Sequence, residues 1–189
     1  MKKIVSILLI AAVIAGCKPE KQNDFFPVLS FIQSQVKHVD TSVYAIRKIT
    51  KTDSLYDTVY IKREEFRSEA ADFLNIPDLT AGRYTKKYEE RKNYEEDLNR
   101  ASIAYYPLKK GMEITREEVN IIPTPAGNDK IRSIYIETFR DVKDSIITKK
   151  LYWQVDESFK TVTIIQKENQ PDKVFQKEVI WNKPAESNE

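Results

Sequence analysis

The sequence of residues 131–182, IRSIYIETFRDVKDSIITKKLYWQVDESFKTVTIIQKENQPDKVFQKEVIWN, decides the fold. It holds four runs rich in Val, Ile, Thr and aromatic residues, which favour β-strands, and polar turns separate these runs. Because the turns are short and no helical pattern intervenes, consecutive strands must run antiparallel. The four predicted strands are Ile131–Arg140, Ile146–Val155, Thr161–Lys167 and Val174–Asn182.

Alternation within these runs predicts a sheet with one apolar face and one polar face. Leu151, Trp153 and Val155 share one side of their run, and Tyr152 and Gln154 share the other. An antiparallel sheet commonly buries one face and leaves the other in water. We therefore expect Trp153 to point into a core and Tyr152 to point to solvent.

Upstream of residue 131, the same signals predict five more strands. These runs are Val43–Ile49, Leu55–Ile61, Tyr84–Tyr94, Leu98–Leu108 and Met112–Pro123. Together with the four later runs they predict a curled, largely antiparallel β-meander of about seven to nine strands.

Two amphipathic helices are predicted in the N-terminal part of the chain, one before the first two strands and one directly after them. Phe25–Val36 has apolar residues at i, i+3, i+4 and i+7 spacing, and Arg63–Leu74 places Phe66 and Phe73 on one side. Each helix must bury its apolar stripe, and the apolar face of the sheet is the available partner. The predicted fold class is α+β, with two N-terminal amphipathic helices packed on the curled meander.

The N-terminus shows the three zones of a secretory signal. Lys2 and Lys3 precede the apolar stretch Ile4–Ile14, and the small residues Ala15 and Gly16 follow it. The stretch is shorter than the about 20 apolar residues that a membrane-spanning helix needs. Residues 1–16 are therefore predicted to be a signal peptide.

The segment Ile14-Ala15-Gly16-Cys17 resembles the lipobox of bacterial lipoproteins, in which cleavage leaves the cysteine as the first residue. The resemblance implies that Cys17 carries fatty acyl chains such as palmitate, and that these chains hold the protein to a membrane of the cell envelope. Two or more chains anchor a protein stably. The expected location is the outer membrane, on its periplasmic or its surface face. Residues 17–24 would form the acylated tether, 25–183 a single α+β domain and 184–189 a disordered tail.

Two further stretches carry a second resemblance. The segments DTVYIKREEF at 57–66 and KLYWQV at 150–155 are similar to stretches of envelope lipoproteins from Bacteroidetes-type bacteria. Because those lipoproteins are uncharacterised, the resemblance implies an envelope location and no particular activity.

Composition excludes several classes of function. The chain has 31 Lys and Arg against 29 Asp and Glu, and since Lys2 and Lys3 lie in the predicted signal peptide, the mature chain is balanced. A balanced surface has no net field to attract nucleic acid. Four glycines without clustering cannot build a phosphate-binding loop. One His and one Cys cannot supply a zinc site, so neither a metal nor a cofactor is predicted.

No residue is predicted to be catalytic. His38 is the sole histidine and has Asp40 nearby, but no serine lies in a Gly-x-Ser-x-Gly elbow to complete a triad. Acidic pairs recur, but basic residues are interleaved with them, which indicates solvated strands rather than a catalytic cleft. These acidic runs are Glu64-Glu65, Glu89-Glu90, Glu95-Glu96-Asp97 and Glu117-Glu118.

Five tyrosines form the candidate binding surface. On an exposed face beside Lys and Arg, they would stack on sugar rings or on an apolar patch of a partner. The alternative is that they are cross-strand packing pairs. The five are Tyr84, Tyr88, Tyr94, Tyr105 and Tyr106.

These features predict a non-enzymatic binding or scaffolding lipoprotein whose partner is an envelope protein or a glycan. One alternative is a carrier of an apolar ligand or lipid between helices and sheet, with an architecture similar to the half-barrel carriers of lipoprotein acyl chains. A hydrolase is the third hypothesis. An apolar cavity of at least about 300 Å³ favours a carrier, a filled core with an exposed aromatic patch favours a binding module, and converging carboxylates favour an enzyme. The oligomeric state stays open.

Overall fold

The computed structural model describes residues 24–52 and 55–182 of the chain. The predicted signal peptide, Cys17 and the predicted tail at 184–189 lie outside the described residues. The helices in the described part are α1 (Val28–Asp40), α2 (Arg63–Glu69), α3 (Ala71–Leu74) and α4 (Gly82–Thr85), with a 3₁₀-helix at Glu96–Leu98.

The described residues also form nine strands, which make one sheet with antiparallel neighbours throughout. The antiparallel sheet and the α+β class are therefore confirmed. The strands are β1 (Ile46–Thr52), β2 (Leu55–Ile61), β3 (Tyr88–Glu95), β4 (Arg100–Pro107), β5 (Ile114–Ile122), β6 (Lys130–Val142), β7 (Ser145–Gln154), β8 (Ser158–Gln166) and β9 (Lys173–Ile180).

The strand order across the sheet is β2-β1-β9-β8-β7-β6-β5-β4-β3. Strands β3 to β9 thus follow each other as a meander, and only the first hairpin breaks the sequence order. That hairpin joins the sheet through β1, which pairs with β9, so that Lys48 is opposite Val179. The first and last strands of the chain are therefore neighbours, and β2 and β3 are the two edges.

The helices differ from the prediction in position and in number. Helix α1 buries Val28, Ile32, Val36 and Val39, which recur at helical spacing. The second predicted helix, Arg63–Leu74, follows the first hairpin as predicted but is two short helices separated at Ala70. The prediction of one continuous second helix was therefore wrong, and the helices do not form a clear N-terminal amphipathic pair.

The break at Ala70 positions two aromatic side chains separately. Ala70 is buried, and its backbone angles (φ −83°, ψ 4°) end α2 before α3 begins. Phe66 then packs against Trp181 with ring centroids 5.2 Å apart, and Phe73 packs against Trp153 at the same distance. The two helices therefore cover different parts of one sheet face.

An aromatic cluster fills the space between helices and sheet. Trp153 stacks on Phe159 with centroids 5.3 Å apart and planes 18° apart, and both side chains are fully buried. Phe73 contacts Phe159 at 5.2 Å, and Phe66 contacts it at 5.8 Å. Such pairs contribute about 0.5–1.5 kcal/mol beyond the area that they bury. We call the sheet face that carries this cluster the inner face.

A half-buried pair of ion pairs, which we call the Glu69 clasp, joins α2 to the hairpin and to the last strand. The Glu69 carboxylate lies 2.8 Å from Lys48 Nζ on β1 and 3.2 Å from Lys177 Nζ on β9. Lys177 Nζ also donates to the Glu69 carbonyl at 2.8 Å. Burial alone would raise the pKa of Glu69, but the hydrogen bonds and charges of the two lysines outweigh it, and the pKa is lowered.

Phe159→Ala is expected to lower the free energy of unfolding by about 3–5 kcal/mol, because it leaves a cavity at the centre of the aromatic cluster. Denaturant unfolding of the mature domain measures the change. The adjacent Lys160→Ala is the matched control, since Lys160 is exposed, and a surface change is expected to stay within about 0.5 kcal/mol. Equal losses for the two variants would contradict the assigned core.

Candidate functional site

The outer face of the sheet, which points away from the helices, carries arginines and tyrosines on five neighbouring strands. We call this row the outer ladder, and from β3 to β7 it consists of Arg91, Tyr106, Arg116, Tyr135 and Tyr152. The Arg91 guanidinium carbon lies 4.8 Å from the Tyr106 ring centroid. The Arg116 guanidinium carbon lies 5.4 Å from the Tyr135 centroid and 6.0 Å from the Tyr106 centroid. These distances are those of cation–π contacts.

Side chains two residues further along each strand orient the last two rings. The Tyr135 hydroxyl donates to the Glu137 carboxylate at 2.9 Å, and the Tyr152 hydroxyl donates to Gln154 Oε1 at 2.7 Å. Burial and the hydrogen bond to Glu137 raise the pKa of Tyr135 to about 12, so its hydroxyl keeps the proton that it donates. Both rings are therefore held at their hydroxyl ends, and the Tyr135 ring also contacts the Arg116 guanidinium.

A depression of about 340 Å³, which we call the outer depression, lies beside these two rings. It combines two aromatic rings, two guanidinium groups, one carboxylate, an amide and a hydroxyl, a set of polar and aromatic groups that can orient a polar ring-shaped ligand. Its lining residues are Arg100, Glu118, Asn120, Arg132, Ser133, Tyr135 and Tyr152.

The two arginines of the outer depression differ in their partners. Both carboxylate oxygens of Glu95 accept from the Arg100 guanidinium at 2.8 Å, and this hydrogen bonding raises the pKa of Arg100. Glu118 accepts from Arg116 of the outer ladder. Within residues 24–52 and 55–182, no carboxylate forms an ion pair with Arg132. Arg132 is thus an exposed cation that is not held in an ion pair.

The structure separates the five tyrosines that the sequence grouped. Tyr88 and Tyr105 are buried on the inner face and cannot belong to an exposed binding surface. The Tyr105 hydroxyl accepts the Phe26 N–H at 2.8 Å, and the Tyr88 hydroxyl donates to the Ile114 carbonyl at 3.0 Å. Burial raises the pKa of both hydroxyls, that of Tyr88 to about 12. Placing these two on an exposed surface was therefore wrong.

The other three tyrosines lie in three different places. Tyr84 is half-buried next to Tyr88, with centroids 6.4 Å apart. Tyr94 is exposed, and its hydroxyl lies 3.3 Å from Asn99 Oδ1. Tyr106 alone belongs to the outer ladder, because it follows Tyr105 in β4 and successive side chains of a strand point to opposite faces.

Sequence reasoning did not select Tyr135, Arg100 or Arg132. The signal that finds such residues is alternation, because Tyr152 was predicted to face solvent between the buried Leu151 and Trp153, and the structure confirms that prediction. Applying the same alternation to β6 puts Tyr135 on the outer face next to Tyr152, its direct partner in the ladder.

One member of the acidic pairs is deeply buried rather than solvated. Glu117 is 1% exposed on the inner face, where it is opposite Tyr105 on β4 and Ile136 on β6. Burial, with a smaller contribution from the charge of Asp78, raises the pKa of Glu117 to about 8. Its carboxyl is therefore largely protonated at neutral pH. Glu118, the next residue, lies on the outer face, so the pair Glu117-Glu118 is divided between the two faces.

A small polar cavity opens between α3 and the inner face. Its volume is about 180 Å³, and Leu151 and Ile76 form part of its wall. The Asp72 carboxylate lies 2.5 Å from Lys149 Nζ, and Arg140 Nε donates to the Glu113 carboxylate at 2.9 Å. Each carboxylate of this cavity is thus engaged by a cation.

His38 lies in the last turn of α1 and is exposed. The carboxylate of Asp40 accepts from Arg67 at 3.0 Å, and the His38 ring instead faces the edge of Tyr44 at a centroid distance of 6.4 Å. In the part of the chain that the structure describes, no three His, Cys, Asp or Glu side chains are grouped in a way that suits a metal ion.

Comparisons with known proteins give no family to which the chain can be assigned: no protein-family model, curated protein or solved structure matches it. Among the described helices, none is long and apolar enough to cross a membrane.

Glu117→Gln is expected to remove a decline in stability between about pH 4.5 and 8. The folded state keeps the Glu117 proton up to about pH 8, whereas the unfolded chain releases it near the ordinary glutamate pKa. Rising pH in this window therefore favours unfolding, by on the order of 1 kcal/mol per pH unit. Denaturant unfolding at several pH values measures the slope.

The matched control is Glu118→Gln, because Glu118 lies on the outer face next to Arg116. This variant should keep the slope of the parent. A Glu117→Gln variant with the same slope as the parent would show that Glu117 is not the buried titrating group.

Proposed function

We propose that this chain is a lipid-anchored protein of the cell envelope, without catalytic activity, that binds an acidic glycan in the outer depression. The outer depression carries the proposal, because Arg132 has no ion-pair partner in the described residues and lies beside two oriented tyrosine rings. An envelope protein as the partner in place of a glycan remains an outcome of the test below.

The start of the domain supports an orientation relative to the membrane. Phe25 packs on Tyr105 with centroids 4.6 Å apart, and the Phe26 N–H donates to the same residue. The chain therefore enters the domain on the inner face. A tether from Cys17 to Asp24 reaches at most about 25 Å when extended. An anchor at Cys17 keeps the inner face near the bilayer and directs the outer face away from it.

The chemistry of the outer depression suits sugar rings. The faces of Tyr135 and Tyr152 offer apolar surface, and their bound hydroxyls fix the ring positions. Asn120 and Ser133 provide groups that exchange hydrogen bonds with sugar hydroxyls. Arg132 is available for a sugar carboxylate, because a guanidinium forms bidentate hydrogen bonds with that group.

The filled interior supports a binding role over the carrier alternative. Trp153, Phe159, Phe66 and Phe73 occupy the space between helices and sheet. The cavity next to α3 has a volume of about 180 Å³, and ion pairs form part of its wall. A site for an apolar ligand needs a volume of at least about 300 Å³ and mostly apolar walls.

Binding is tested with tetragalacturonate and with its methyl-esterified form, which lacks the negative charges. We expect the mature domain to bind the acid form more tightly, and added salt to weaken that binding. Arg132→Ala should weaken it by about tenfold, because a charge-assisted contact is lost, and Tyr152→Ala by about three- to tenfold through lost stacking. Isothermal titration calorimetry or ligand-observed NMR measures these changes.

Tyr94→Ala is the matched control, because this exposed tyrosine lies on β3, away from the outer depression. Equal affinity for both forms of the saccharide would overturn the acidic class of ligand. Absence of saccharide binding, together with capture of an envelope protein that depends on Arg132 and Tyr152, would replace the glycan by a protein partner.

The anchor is tested by the intact mass of the native protein extracted from membranes with detergent. We expect a chain that begins at Cys17 and carries the added mass of acyl chains. Cys17→Ser should leave the protein unacylated and release it from the membrane fraction. A native mass that corresponds to an unmodified chain starting at Met1 would refute the lipid anchor.

A further inference from the structure

The two edges of the sheet differ in how they are protected. Edge strand β3, with the sequence YEERKNYE, carries five charged residues. Edge strand β2, with the sequence LYDTVYI, carries one, Asp57. Charged side chains on an edge discourage pairing with other chains, whereas a flat apolar edge invites it. The sequence therefore protects β3 and leaves β2 available.

Strand β2 is exposed on both of its faces. Leu55 is 78% exposed, Tyr56 is 67% exposed and Tyr60 is 76% exposed. In the described residues β2 pairs with β1 alone. Because hydrogen-bonded and non-hydrogen-bonded pairs alternate in an antiparallel ladder, alternate residues of β2 direct their N–H and C=O groups away from β1. These groups form a template for another strand.

We propose that β2 is a dimerisation edge, which pairs antiparallel with β2 of a second copy of this chain and joins the two sheets into one. In the register that we assign, Thr58 of one protomer lies opposite the partner's Thr58. The pairing extends over all seven residues of β2. This inference stands on the edge strand and does not require the glycan site.

The sequence of β2 is complementary to itself in this register. The resulting pairs are Leu55 with Ile61, Tyr56 with Tyr60, and Asp57 with Val59, each formed twice about the central Thr58 pair. Aromatic, aliphatic and Thr–Thr pairs are those that stabilise antiparallel ladders, by about 0.2–1 kcal/mol each. No charged residue stands directly opposite a like charge.

The neighbouring symmetric registers are less favourable. Centring the pairing on Asp57 would place two carboxylates directly opposite each other, which is destabilising. Centring it on Val59 would place Tyr56 opposite Lys62, and the pairing would extend beyond the end of β2. A symmetric antiparallel pair keeps the same face of both sheets on the same side. The central register is therefore the one with the most pairs and no opposed charges.

That symmetry is compatible with the proposed anchor. Both inner faces lie on one side of the joined sheet, so the two chain starts at Phe25 lie on that side too. Both tethers then reach the same bilayer. A seven-residue strand pairing is small compared with the about 1,200–2,000 Å² of a standard stable interface. Confinement to a membrane raises the effective concentration of the two copies and offsets this small area.

The test is disulfide formation in membranes that hold the full chain with Thr58→Cys. Opposite Cβ atoms in an antiparallel pair lie about 4.5–5.5 Å apart, close enough for a disulfide after small adjustments. Mild oxidation should convert most of the protein into a dimer on a non-reducing gel. Asn93→Cys on the charged edge strand β3 is the matched control and should stay largely monomeric.

The register is tested by mixing chains that carry one cysteine each. Tyr56→Cys co-expressed with Tyr60→Cys should cross-link several-fold more than either variant alone. Equal cross-linking of Thr58→Cys and Asn93→Cys, or no gain in the mixed pair over the single variants, would overturn the proposal.

Thr58→Lys provides a second measurement, because it places two ammonium groups opposite each other at an exposed position that folding does not need. Chemical cross-linking of membranes with an amine-independent, photoreactive reagent should show loss of the dimer, while the far-ultraviolet circular dichroism of the purified variant stays that of the parent. An undiminished dimer would refute the β2 interface. The unsubstituted chain, oxidised in parallel, separates this result from the anchor, because a disulfide through Cys17 would reveal a thiol without acyl chains.

Discussion

The stacking of Trp153 on Phe159 under the helices is the interaction on which the rest of the structure depends. These two side chains lie opposite each other on β7 and β8, and together they fix which face of the sheet is buried. Because side chains alternate along a strand, burial of Trp153 forces Tyr152 to the opposite face. The packing of the core therefore sets the position of Tyr152. It also sets that of Tyr135, which lies directly opposite Tyr152 on the neighbouring strand. The outer depression is thus a by-product of how the interior packs.

The strands could be predicted from the sequence, but their facing could be predicted only where the alternation is clean. In β7 the contrast between Leu151 or Trp153 and Tyr152 is strong, and the predicted facing holds. In β3 and β4, polar and aromatic residues occur on both sides, so the adjacent Tyr105 and Tyr106 carried no sign of which one is buried. Glu117 shared its side with Val119 and Ile121, yet its neighbour Glu118 made the pair look solvated. A local sequence pattern does not reveal that a carboxyl group is buried when protonation removes the charge that would otherwise oppose its burial.

The second helix shows a different limit. Its apolar spacing predicted one continuous helix, but periodicity cannot reveal a break that keeps both ends on the same sheet face. Phe66 and Phe73 both contact Phe159, and because the chain turns at Ala70 the first also reaches Trp181 and the second Trp153. Tertiary packing therefore decided the local geometry, as is common where propensity is weak. The arginines of the outer depression escaped prediction for a related reason, since their proximity exists only across strands.

The neighbouring positions of β1 and β9 constrain how the chain acquires its structure. The first hairpin reaches the rest of the sheet through the last strand, and the Lys177–Glu69 contact joins residues 108 positions apart. Contacts of such long range form late and slowly. During synthesis from the N-terminus, the early third of the polypeptide has no finished place to dock. The first hairpin therefore cannot take its place in the sheet until β9 is available, and folding is expected to finish only after the last strand has been synthesised.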